Sequence, residues 1–199
     1  MDENSYEKLL NIKTSKDRNK SNNSLHYNIY EPTSYFALDT LFNNYSLDSK
    51  DKIIDYGCGK GRLNFYLNYK FNVSVTGIEM NTFYYNEALQ NKTSYLSKHK
   101  KSDKLINFEN VLAQNYNIEA DDNVFYFFNP FSVEIFITVI NKIITSLYEH
   151  ERKITIILYY PLEDYIFYLN NTLFTLHKEI RVPKYYEKDN NFRFLIYTN

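Results

Sequence analysis

The run Asp55-Tyr56-Gly57-Cys58-Gly59-Lys60-Gly61 sets an acid two residues ahead of three glycines at alternate positions. The whole chain has four glycines, so three in one turn is a concentrated signal. Glycine adopts positive φ at no steric cost and lets a ligand approach the main chain closely. A dinucleotide pyrophosphate would call for G-x-G-x-x-G, whose third glycine falls at position 62, and that residue is Arg62. An acid at Asp55 disfavours a pyrophosphate and suits a cationic ammonium group. A second acid, Glu79 in Gly77-Ile78-Glu79-Met80-Asn81, could accept both hydroxyls of a ribose. Met80 beside it could pack on an adenine face.

These residues need a frame, and the patterning supplies one. Short apolar runs at 52–55, 73–79, 105–108, 124–128 and 154–160 read as strands. Helical spacing marks 62–69, 82–99, 133–147 and 162–169. Such alternation predicts an α/β fold, a Rossmann-like doubly wound and mostly parallel sheet covered on both faces. The runs at 124–128 and 154–160 lack in/out alternation, as strands buried on both sides do. The last two runs, 173–182 and 192–198, have no helix between them, which predicts one antiparallel strand near the C-terminus. Pro130, Pro161 and Pro183 each fall just past a strand and never inside one. In open sheets of this kind the ligand crevice lies past the carboxyl ends of the strands. Asp55, Glu79 and Asn129 all end strands.

Ahead of this frame, residues 1–24 are polar and read as a flexible tail with a short helix at 6–12. Residues 25–50 form an N-terminal helical cover segment, in which Tyr35, Phe36, Leu38, Leu41 and Phe42 recur at helical spacing behind Pro32. The domain proper is 51–199.

Net charge is −1 over 199 residues, with 44% apolar and 24% charged content. A near-neutral chain gives no electrostatic case for nucleic acid. One cysteine excludes a disulfide scaffold and fits a reducing compartment. No stretch approaches the 18 apolar residues of a membrane span, and the start has no basic and apolar leader, so a cytoplasmic protein is expected. The four histidines lack metal-ligand spacing, and no metal site is expected. The abundance of Tyr, Asn, Lys and Ile has the look of coding bias and carries no functional weight.

With Ile54-Asp55-Tyr56-Gly57-Cys58-Gly59-Lys60-Gly61 as a first motif and Gly77-Ile78-Glu79-Met80 as a second, residues 51–199 resemble the class I S-adenosylmethionine-dependent methyltransferases. The resemblance implies a seven-stranded sheet and S-adenosyl-L-methionine as cofactor. It also implies that Gly57, Gly59 and Gly61 line that cofactor, with Asp55 near its methionine portion and Glu79 on its ribose. Cys58, the small residue of the turn, and Met80 complete the expected cofactor contacts. Tyr30-Glu31-Pro32-Thr33-Ser34-Tyr35 looks like the segment that closes over the cofactor in some members.

Two departures stand out. The acid that reaches the adenine amine in many members corresponds to Leu112, with Asn110 or Gln114 as possible substitutes. Phe128-Asn129-Pro130-Phe131 resembles the Asn-Pro-Pro-aromatic motif of nitrogen methyltransferases with one proline missing. It makes Asn129 the candidate catalytic residue. Tyr30, Tyr35, Pro130, Phe131 and Tyr160 are the expected walls of the acceptor pocket. A small molecule or an exposed protein side chain is the expected acceptor. A non-catalytic cofactor-binding module on the same fold is the rival, and Arg62 argues against an NAD-type oxidoreductase.

Overall fold

A computed structural model describes residues 1–15 and 30–199. Seven strands build one sheet: β1 (Lys52–Tyr56), β2 (Ser74–Ile78), β3 (Ile106–Glu109), β4 (Val124–Phe127), β5 (Thr155–Tyr159), β6 (Thr175–Arg181) and β7 (Arg193–Thr198). Their order is β3-β2-β1-β4-β5-β7-β6. β1 to β5 pair in parallel, while β7 runs antiparallel to both β5 and β6. The strand order reverses beside β1, between β2 and β4. That is the topological switch point, where a crevice opens past the strand ends.

Among the described residues, six α-helices cover the sheet: α1 (Glu3–Leu10), α2 (Tyr35–Asn44), α3 (Arg62–Phe71), α4 (Thr82–His99), α5 (Val133–Glu149) and α6 (Glu163–Leu169). Each strand divides its side chains between two cores, because successive residues point to opposite faces. Val124 and Tyr126 of β4 join Leu38, Phe65 and Tyr95 on the face covered by α1 to α4. Phe125 and Phe127 join Phe136, Ile140 and Tyr165 on the face of α5 and α6. Both faces are apolar, so β4 and β5 read as continuous apolar runs.

The helix behind Pro32 begins at Tyr35, where Ser34 caps it by accepting from the Ala37 N–H at 3.2 Å. The expected tail needs correction over its first part, where the short helix expected at 6–12 lies instead at 3–10. Residues 3–10 form α1, capped by Asp2 and ended by Asn11 at φ 57°. Tyr6, Leu10 and Ile12 are buried in the core, and the Tyr6 ring stacks on Tyr35 with centroids 4.4 Å apart. Three apolar residues make a weak local signal. The anchoring is tertiary, through side chains of α2 and α3. The remainder of the expected tail, residues 16–24, lies outside the described residues.

Candidate active site

The turn after β1 takes its shape from glycine. Gly57, Gly59 and Gly61 all have positive φ, at 77°, 55° and 84°. The N–H groups of Gly57 and Cys58 both donate to the Ile78 carbonyl, which ties the turn to the end of β2. A Cβ on Gly57 would sit 2.5 Å from the Pro130 Cβ, so this glycine admits the loop after β4. One on Gly59 would sit 2.1 Å from the Tyr30 ring. One on Gly61 would strike Phe108 and Phe65, so Gly61 serves helix–strand packing and the start of α3. Gly77 does similar work, since a Cβ there would lie 2.6 Å from Cys58 Sγ.

A cavity of about 370 Å³ opens at this point. Asp55, Gly57 and Cys58 line one side, and Glu79 and Met80 follow from the end of β2. Asn129, Pro130 and Phe131 come from the end of β4, with Tyr160 beside them from the end of β5. Tyr30, Glu31, Pro32 and Thr33 approach from the N-terminal segment. Thus the separate sequence candidates converge on one crevice. Gly59 and Gly61 are the backbone behind its lining rather than part of it.

The electrostatics of the cavity are set by two buried acids. Burial first, and the carboxylate of Glu79 second, push Asp55 up to about 8. Asn64 of α3 holds this group. Its amide, in the orientation that satisfies both ends, donates to Asp55 Oδ2 at 3.0 Å and accepts from the Gly77 N–H at 3.1 Å. Burial also raises Glu79, against backbone donors that favour its charged form. Those donors are the N–H of Asn81 at 2.7 Å and the N–H of Gly59 at 2.9 Å. Each carboxylate oxygen has two lone pairs, so Glu79 retains capacity for further donors. Arg62 also borders the cavity, but its guanidinium is ion-paired to Glu3 and Glu7 of α1. With the Arg62 charge offset by α1, Asp55 and Glu79 are the acids that a cationic ligand would meet here, and such a ligand would favour their charged forms.

At the other end, Asn129 and Tyr160 both hold left-handed backbone conformations, with φ at 40° and 49°. Asn129 Nδ2 donates to the Tyr160 carbonyl. The Tyr160 hydroxyl donates in turn to Asp189 in the connection between β6 and β7. Positive φ at non-glycine residues is a cost that sites retain for geometry. Phe128 lies between the two elements, with its ring centroid 4.6 Å from that of Tyr159.

Tyr35 does not belong to the site. It is fully buried on α2, with its hydroxyl on Glu7 and its ring 4.5 Å from the Arg62 guanidinium. Tyr30 covers Gly59 and meets Tyr84 at 4.8 Å, on the glycine-loop side rather than the Asn129 side. Asn110 is occupied in tying the end of β2, donating to the carbonyls of Glu79 and Met80. Leu112 is 38% exposed and does not line the cavity, while its neighbours Val111 and Ala113 do. Sequence reasoning missed Asn64 and Tyr126, and it named Thr33 only as part of the expected cover segment. Thr33 and Tyr126 both line the cavity and share a hydrogen bond of 2.7 Å, and nothing in the spacing of Tyr126 marks it.

Comparison with known proteins bears on the fold. Residues 33–127 match the family model of a methyltransferase domain. Among curated proteins, none is significantly similar in sequence. The [4+2]-cyclase SpnF superposes with a TM-score of 0.60 at 13% identity, covering 88% of this chain and 87% of that one. The N-terminal domain of human METTL16 in complex with SAH gives 0.57 at 12%, over 96% and 76%. M. capricolum TrmK in complex with S-adenosyl-homocysteine gives 0.53 at 12%, over 84% and 68%. At these identities the likeness is one of fold. Among the described residues, no helix is long and apolar enough to cross a membrane.

Proposed function

We propose that the chain is a class I S-adenosylmethionine-dependent methyltransferase, a reading supported by the match of residues 33–127 to a methyltransferase-domain model, and that its crevice transfers a methyl group to a nitrogen of an acceptor seated beside Asn129. The observation that carries this reading is the joining, in one cavity, of the Asp55–Glu79 side with the Asn129–Pro130 side. The residues fit the cofactor: buried carboxylates suit a cationic ligand, and the glycine turn leaves main chain where side chains would otherwise stand. Asp55 would hold the ammonium end and Glu79 the ribose hydroxyls, with Gly57, Cys58 and Met80 along its length. When bound, the cofactor supplies an already activated methyl on a sulfonium.

The protein's own share is orientation and exclusion of water. With its nitrogen spent on Tyr160, the Asn129 amide has a fixed direction. Its oxygen accepts from the N–H of the acceptor and holds the nitrogen lone pair toward the methyl. Tyr160, Phe131 and Pro130 wall the acceptor, and Tyr30 stands on the cofactor side. The single cysteine is a free buried thiol, which supports a reducing, cytoplasmic setting.

The charge argument against nucleic acid does not hold up. Proteins of this fold include a putative tRNA (m1A22) methyltransferase and an rRNA methylase, so RNA belongs in the acceptor panel beside amines and proteins. Because the fold also carries a cyclase, fold alone does not decide the chemistry. The test is mass spectrometry for co-purified S-adenosylhomocysteine, followed by a screen for labelled methyl transfer. Transfer to a nitrogen is expected. Tight cofactor binding without transfer to any acceptor would overturn the catalytic reading in favour of a binding module.

A further inference from the structure

Arg62 opens α3 directly after the glycine turn, and 5% of its surface is exposed. A buried guanidinium needs partners for its donors, and among the described residues these come from the N-terminal segment. Nη1 contacts Glu3 Oε2 at 2.6 Å and the Thr33 carbonyl at 3.2 Å. Nη2 reaches Glu7 Oε1 at 3.4 Å, and Nε donates to Thr14 Oγ1 at 2.7 Å. Glu7 then takes the Thr14 N–H at 2.6 Å, and Glu3 takes the N–H of Tyr35, the first residue of α2, at 2.8 Å. The Thr14 carbonyl accepts from the Tyr30 hydroxyl at 2.6 Å. That last bond closes the circuit, because Tyr30 is the residue whose ring lies on Gly59.

We infer that Arg62 is a positioning residue for the cofactor site, acting through Glu3, Glu7 and Thr14 to hold Tyr30 over the glycine turn, and directly on the Thr33 carbonyl to hold Thr33 in the cavity lining. The inference rests on the cofactor reading above. It makes α1 part of the site, although Glu3, Glu7 and Thr14 do not line the cavity. Remote charge and hydroxyl groups on the far side of Arg62 then set cofactor affinity.

The experiment is calorimetric titration of the full chain with S-adenosylhomocysteine, for wild type, Glu7→Gln, Thr14→Val, Arg62→Met and Arg62→Lys. Amide hydrogen exchange is followed in the same samples. Glu7→Gln and Thr14→Val are each expected to weaken binding about tenfold, within the range by which distant side chains modulate affinity. Exchange should quicken at residues 30–33 while β4 and β5 stay protected. A lysine offers no planar fork, so Arg62→Lys should rescue only part of the affinity lost in Arg62→Met. A purely structural role would lower melting temperature without changing the affinity of the folded protein. Folded Glu7→Gln and Thr14→Val proteins with wild-type affinity would overturn the inference. Should one of them fail to fold, the other decides. Absence of binding by wild type would instead overturn the cofactor reading on which it rests.

Discussion

The N–H of Gly59 donates to Oε2 of Glu79 at 2.9 Å, so the acid that ends β2 also holds the turn that follows β1. Its other oxygen takes the N–H of Asn81, the capping residue of α4. One carboxylate thus pre-sets the glycine turn and the start of a helix while its residue lines the cavity. Charge-assisted hydrogen bonds of this type are worth roughly 1.5–3 kcal/mol each. Glu79→Ala should therefore weaken S-adenosylhomocysteine at least about tenfold in a calorimetric titration. A cofactor analogue lacking both ribose hydroxyls should lose less than the intact one. Equal affinity of the variant and wild type for the intact cofactor would remove Glu79 from the site.

Gly59 is the position where a side chain has least room. Its φ is 55° and the Tyr30 ring occupies the Cβ direction. Gly59→Val would push Tyr30 off the turn and strain the backbone, and titration should then show no heat. The sheet, which does not involve this contact, should keep its circular dichroism. A folded variant that binds as wild type does would show that the turn lies away from the ligand.

Asp55 connects the site to pH. Its carboxyl is raised to about 8, chiefly by burial and then by Glu79, whereas an unfolded aspartate titrates near 4. The native state therefore binds more protons than the unfolded one between about pH 4 and 8. Stability associated with Asp55 is full below that window and is lost as pH rises through it. An ammonium ligand reverses the preference by stabilising the carboxylate. Binding near pH 7 should release a proton, visible as a buffer-dependent heat in calorimetry, and Asp55→Asn should abolish it. A heat independent of buffer would place the ammonium elsewhere.

The packing of α1 also has a stability consequence. Leu10 has no exposed surface, so Leu10→Ala removes buried methylene groups from the core shared with α3. Substitutions of this type cost about 2–5 kcal/mol. A clear drop in denaturation midpoint is expected. A drop under about 0.5 kcal/mol, the size of an ordinary surface change, would mean that α1 detaches without consequence.

How far the sequence reaches differs between the sheet and the site. β4 and β5 were legible because burial on both faces leaves an uninterrupted apolar run, and Gly57 and Gly59 because the chain spends glycine almost nowhere else. The antiparallel β7 followed from the missing helix before Arg193. What could not be read was long-range pairing. Arg62 looked like a departure from a nucleotide motif, and its partners lie 29 to 59 residues away. Tyr35 has the same helical spacing whether it faces a pocket or a core, and only the approach of α1 decides that it is core. Gly61 shares its spacing with Gly57, yet its absent side chain makes room for Phe108, which no local pattern relates to it.

The final prediction separates binding from catalysis at Asn129. Its side chain reaches the cavity from the end of β4, and its amide nitrogen is held by the Tyr160 carbonyl. The acids proposed to face the cofactor lie on β1 and just past the end of β2, so the two proposed functions sit on different loops. Asn129→Ala should leave S-adenosylhomocysteine affinity within about twofold. It should lower methyl transfer by roughly 10²-fold or more, the scale at which loss of positioning acts on a reacting centre. Alanine also tolerates φ of 40° poorly, so Asn129→Asp gives a second reading with a similar shape. Its charge should keep an acceptor hydrogen bond but alter the pH profile of transfer. Tritiated methyl incorporation into the acceptor found by the screen, measured for both variants, is the check. Full turnover in Asn129→Ala would move the acceptor away from the end of β4, toward the wall formed by Tyr126 and Thr33.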